Sequence, residues 1–150
     1  MGEALDDVDR VLVRELVANG RATLSELAAS ARLSVSAVQS RVRRLETRGV
    51  VSGYSARINP EALGHLRSAF VAITPLDPSQ PDDAPARLEH IAEIESCHSV
   101  AGEESYILLV RVESPRALED LLQRIRTTAN VKTRSTIILN TFYTERLYVP

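Results

Sequence analysis

Two helix-start signals set close together, at Thr23 and Ser34, limit what this chain can fold into more than any other feature. Thr23-Leu24-Ser25-Glu26 has the form of a capping box, in which the Thr23 hydroxyl and the Glu26 carboxylate each accept from a free backbone N–H at a helix start. The apolar face of that helix is Leu24, Leu27 and Ala28. The turn Ser30-Ala31-Arg32-Leu33 is short and is expected to bury Leu33. Ser34 then caps a second helix running to about Gly49, where glycine suits a left-handed stop. Two short helices on so tight a turn, followed by a β-prone run to Tyr54, have the outline of a DNA-binding unit.

The second helix divides its faces. Val38, Val42, Leu45 and Gly49 form the stripe expected to pack on the preceding helices. Ser36, Gln39, Ser40 and Arg43 lie on another face, next to Ser34 at the helix start, and can donate to and accept from base edges in a major groove. Arg41, Arg44 and Arg48 form a third row, suited to phosphate oxygens because guanidinium forks match their geometry. Such a row is often only a solvated face. Here the signs are not interleaved: from Arg32 to Pro60 there are six arginines and one acid, Glu46. Arg41 serves equally well as a structural partner for an acidic side chain of the first helix.

Upstream, Leu5, Val8, Val11, Leu12 and Leu16 mark an amphipathic helix capped by Asp6 and ending near Asn19-Gly20. A three-helix domain, winged-type, is therefore expected over residues 1–50. Val50 to Ile58 is rich in branched and small residues and stops at Asn59-Pro60, which gives a linking strand and hinge over 51–64. An unpaired strand is an edge hazard, and pairing with its counterpart in a second subunit would remove it.

Residues 65–150 read as a second domain. Ser68 to Leu76 is a strand and Pro78 to Pro85 a polar turn. Ala86 to Ile94 is a helix with Leu88, Ile91, Ala92 and Ile94 inward. Ser99 to Gly102 and Tyr106 to Val112 are strands joined by Gly-Glu-Glu-Ser. Pro115 opens a helix with Leu118, Leu121, Leu122 and Ile125 inward, and Val131 to Tyr143 is a long last strand. The order βαββαβ is the ferredoxin-like arrangement, so the fold class is α+β. With helices on one face only, the other sheet face is open to another subunit.

Composition agrees. Net charge is −2, but residues 1–60 hold nine arginines against seven acids, while 61–150 hold nine basic residues against thirteen acids. A base-rich front on an acidic rear suits a DNA-binding module joined to something else. Cys97 is the only cysteine, so no internal disulfide or thiolate metal cluster is expected, and a reducing cytoplasm fits. No apolar run approaches the ~20 residues that span a bilayer, so no membrane partner is expected. His65, His90 and His98 lack metal-ligand spacing, Cys97 and His98 point to opposite strand faces, and no catalytic or metal site is expected.

The stretches LDDVDRVLVR (5–14), LSVSAVQSRVRRLETRGVV (33–51), GYSARINPEALG (53–64) and VAGEESYILLV (100–110) resemble the Lrp/AsnC, or feast/famine, transcriptional regulators, and the similarity covers nearly the whole chain. The resemblance implies a regulator of double-stranded DNA located on the cytoplasmic nucleoid. It also implies homodimers that assemble further, often four dimers in a ring octamer, with an amino-acid effector bound between subunits. The family's effector pocket lies at the hairpin between the second and third strands. The corresponding residues are Ala101, Gly102, Glu103, Glu104 and Ser105, with Thr133, Arg134, Ser135 and Thr136 of the facing subunit closing the site. Gly102 matches the family pattern. Ser105 stands where the family commonly carries Asp, and a neutral hydroxyl cannot give an effector's ammonium the same charge-assisted bond, although Glu104 is adjacent. Two other classes remain open: an architectural DNA-condensing protein without effector, and a tetrapyrrole decarboxylase of similar two-domain outline.

Overall fold

The computed structural model describes residues 4–77, 79, 82–144 and 147–149. The chain divides into two compact units, Met1–Arg57 with Tyr143–Pro150, and Ile58–Phe142.

The first unit holds helices α1 (Asp7–Ala18), α2 (Leu24–Ala31) and α3 (Val35–Thr47). Each starts where a side chain satisfies a free N–H. Asp6 accepts from the Asp9 N–H at 2.7 Å, Thr23 from Glu26 at 3.2 Å and Ser34 from Ala37 at 3.2 Å. Glu26 completes the capping box, accepting from the Thr23 N–H at 2.7 Å. The turn between α2 and α3 places Arg32 in the left-handed region, φ 53, and the Leu33 N–H reaches back to the Ala28 carbonyl, closing the α2 terminus. Leu12, Val13, Leu27, Ala28, Val38, Val42 and Leu45 form the core. Leu33 is only partly buried. Gly49 is exposed at φ +70, so it ends α3 and does not extend the packed stripe.

Two features of this unit depart from the sequence reading. Residues 51–59 carry no strand, because within one chain nothing offers them a ladder. The Tyr54 hydroxyl instead donates to Glu46 of α3 at 2.9 Å. In addition, Val149 packs against the helical core, so a segment expected in the second domain belongs with the first.

The second unit begins with a 3-10 turn, Pro60–Leu63. It continues β1 (Arg67–Pro75), α4 (Ala84–Leu88), β2 (Ile94–Ser99), β3 (Tyr106–Val112), α5 (Pro115–Ala129) and β4 (Val131–Ile138). The strands form one antiparallel sheet in the order β2-β3-β1-β4. Ala69, Val71 and Ile73 of β1 and Leu108, Val110 and Val112 of β3 face the helices. They pack with Leu88 of α4 and Leu118, Leu121 and Ile125 of α5.

The expected helix over 86–94 is shorter and earlier. Leu88 and Ile91 are buried as anticipated, but a turn delivers Ile91, and Ile94 opens β2. The second strand lies at 94–99, so residues 100–105 are loop. The last strand stops at Ile138, opposite Ser68, because β1 offers only one residue, Arg67, beyond that point.

Candidate DNA interface and effector site

Three rows of α3 have different surroundings. Val38, Val42 and Leu45 are buried. Ser36, Gln39, Ser40 and Arg43 are exposed together on one face. Ser34 is occupied as the cap, and its hydroxyl also lies 3.2 Å from that of Ser36. Arg43 makes no ion pair among the described residues.

The arginine row is not uniform. Arg41 Nη1 donates to Asp6 Oδ2 at 2.5 Å and to Asp9 Oδ1 at 2.8 Å, while Arg44 Nη2 donates to Asp9 Oδ2 at 2.8 Å. Asp9 is 1% exposed and is, among the described residues, the buried charged residue of the helical unit. The Arg41 guanidinium and the Asp9 N–H hold the Asp6 carboxyl below its ordinary value, against a smaller opposing effect of burial. The expectation that Arg41, Arg44 and Arg48 form one outward phosphate row is thus revised: the first two are bound to α1. Arg48 is the half-buried C-cap of α3.

At the end of the sheet, the loop 100–105 folds over β1. The Ser105 N–H donates to the Ile73 carbonyl at 3.1 Å, and the Val100 N–H donates to the Ser105 carbonyl at 3.1 Å. Ala101, Gly102 and Glu103 are exposed, and Glu104 and Ser105 half-buried. The backbone N–H groups of Gly102, Glu103 and Glu104 have no partner among the described residues. Beside them lies a cavity of about 170 Å³ lined by Ala72, Thr74, Glu103, Glu104, Lys132, Thr133 and Arg134. Glu104 and Arg134 form an ion pair at its wall.

Strand register sorts the residues of β4. Arg134 pairs with Ala72 and Thr136 with Phe70, on the open face of the sheet. Thr133 and Ser135 pair with Ile73 and Val71, on the helix face. Arg126 of α5 donates to the Thr133 hydroxyl at 3.1 Å. The four residues expected to close the site together are therefore split between two faces, and Arg134 already meets the loop within its own chain.

Residues 5–46 match the AsnC-type helix-turn-helix domain, and residues 68–148 match the Lrp/AsnC ligand binding domain. The chain belongs to the Lrp/AsnC family of transcriptional regulators. It is 84% identical over 150 residues to the HTH-type transcriptional regulator LrpA of Mycobacterium tuberculosis, covering 100% of both chains. A feast or famine regulatory protein from M. tuberculosis complexed with L-methionine, also 84% identical, matches with a TM-score of 0.96 over 98% of this chain and 100% of that one. A transcriptional regulator–L-methionine complex from Neisseria meningitidis is 25% identical, with a TM-score of 0.85 over 94% of each chain.

In this Lrp/AsnC chain, sequence reasoning missed Asp9. Its signal was its position: one turn inside α1 and three residues after Asp6, it lies on the same side of the helix as Leu12 and Val13. Lys132 and Thr74 of the cavity were also missed, since only the β1–β4 register brings them to the loop. Among the described residues no cluster of His, Cys, Asp and Glu is placed to hold a metal, and no helix is long and apolar enough to cross a membrane.

Proposed function

We propose that this regulator binds DNA in a sequence-specific way through α3, and that an amino acid bound at the loop 100–105 alters its DNA affinity or assembly. The observation that carries this reading is the division of α3 into a buried stripe and an exposed Ser36-Gln39-Ser40-Arg43 face. That face carries the donors and acceptors that base edges require. A cavity of about 170 Å³ is of the order a small amino acid needs. The N–H groups of Gly102 to Glu104 suit an effector carboxylate, as consecutive amides often do. The L-methionine complexes of two relatives support an amino acid as the ligand class.

Assembly follows from what one chain leaves exposed. The open sheet face presents Phe70, 47% exposed, beside Leu109, its register partner, with Ile107 and Ile138 on the same face. Residues 51–59 lack a ladder. A second copy meets both needs, and dimers then set paired α3 helices about one DNA turn apart. Ring assembly of four dimers extends the same logic.

Fluorescence anisotropy on a duplex from the chain's own upstream region, across salt concentrations and with or without L-methionine, tests the proposal. Tight, salt-sensitive binding that shifts with the amino acid is the expected result. Binding indifferent to every amino acid favours an architectural protein, a reading that Ser105 and the Glu104–Arg134 pair keep specific. Within α3, Arg43→Ala is expected to cost roughly 1–3 kcal/mol at particular bases, whereas Arg48→Ala weakens all sequences alike and flattens the salt dependence.

A further inference from the structure

Four charged groups lie where α1 meets α3. Asp9, buried, gives one carboxylate oxygen to Arg41 and the other to Arg44. Asp6 gives one oxygen to Arg41 and the other to the Asp9 N–H. Two carboxylates against two guanidiniums leave the cluster neutral, although it lies on the helix that carries the chain's densest run of positive charge. For Arg44 to leave Asp9 for a DNA phosphate would strip a buried carboxylate of half its partners, which is costly. If packing alone were the need, apolar side chains of similar volume would serve as well.

We propose that Asp9, assisted by Asp6, is a specificity-determining residue of the DNA interface. The two carboxylates are built-in counter-anions that hold Arg41 and Arg44 off the phosphates, so that α3 engages DNA through its base-facing residues and not through bulk charge. Phosphate contacts supply sequence-independent affinity, and each adds about 0.9 to the slope of log affinity against log salt. Withholding two arginines lowers that background and widens the gap between specific and non-specific sites. The inference rests on the reading of α3 as the recognition helix.

Full-length protein carrying Asp6→Asn or Asp9→Asn tests it by anisotropy on the upstream duplex and on a scrambled duplex over a salt series. Asn caps a helix as well as Asp, so Asp6→Asn keeps α1 intact even if Asp9→Asn fails to fold. The expected result is a slope steeper by up to about one unit per carboxylate removed, with affinity for the scrambled duplex rising more than for the specific one. In the otherwise unaltered chain, Arg44→Gln leaves the slope unchanged while Arg48→Gln flattens it. Slopes that stay the same or flatten in folded Asp variants overturn the inference, as does an Arg44→Gln slope as flat as that of Arg48→Gln. An unaltered protein showing no salt-dependent binding to either duplex overturns the recognition-helix reading as well.

Discussion

Asp6 uses its two carboxylate oxygens for two purposes, one as the cap of α1 and the other as a partner of Arg41 in α3. Both favour the charged form, so its folded pKa lies below the ordinary 3.8. Glu26, held by the N–H and hydroxyl of Thr23, likewise lies below its ordinary 4.5. The fold thus binds fewer protons than the unfolded chain as these groups titrate. Their contribution is fully present above the ordinary values and is lost as pH falls through the lower, folded ones. Urea midpoints followed from about pH 5 to about pH 2 are expected to fall, and to fall less steeply in Asp6→Asn. Unaltered slopes in that variant would contradict the assignment. The caps were legible in the sequence because their chemistry acts within three residues. Asp9 was not, because its place on the Leu12 and Val13 side of α1 takes meaning only from two arginines of another helix.

Elements were legible where one local cause dominates. The capping box fixes the start of α2, and Thr23→Ala is expected to cost about 1 kcal/mol, read as a lower thermal midpoint with the sheet unit unchanged. Leu45, fully buried at the end of α3, is expected to cost roughly 2–5 kcal/mol on change to Ala. Elements were misread where a partner decides. The alternation of β4 continues past Ile138, yet the strand ends there for want of a neighbour on β1. The apolar spacing of 88–94 fits a helix, but a turn carries the same side chains into the same core. Residues 51–59 have strand composition and no ladder. The loop 100–105 was legible as a turn from its Gly102, whereas the faces that its β4 neighbours take were not. That Arg134 and Thr136 face one way and Thr133 and Ser135 the other follows from β-register, which a spacing along one strand shows only as alternation.

At the scale of the molecule, two separate cores imply two separable responses. L-methionine in excess is expected to raise the thermal midpoint of the sheet unit by mass action and to leave that of the helical unit unchanged. Val149 tests the division in the other direction. Because it packs on the helical core, Val149→Ala is expected to cost roughly 0.5–1.5 kcal/mol. Faster amide exchange should then appear in α1–α3, with β1–β4 protection unchanged. Loss of protection in the sheet alone would overturn the grouping. That grouping makes the ligand-binding unit an insertion in a DNA-binding unit whose chain departs near residue 57 and returns near residue 143. For anyone building chimaeras among these regulators, a single cut in the linker is therefore the wrong seam. It would transplant three helices without the segment that completes their core, whereas exchanging residues 58–142 as a cassette leaves the helical unit whole.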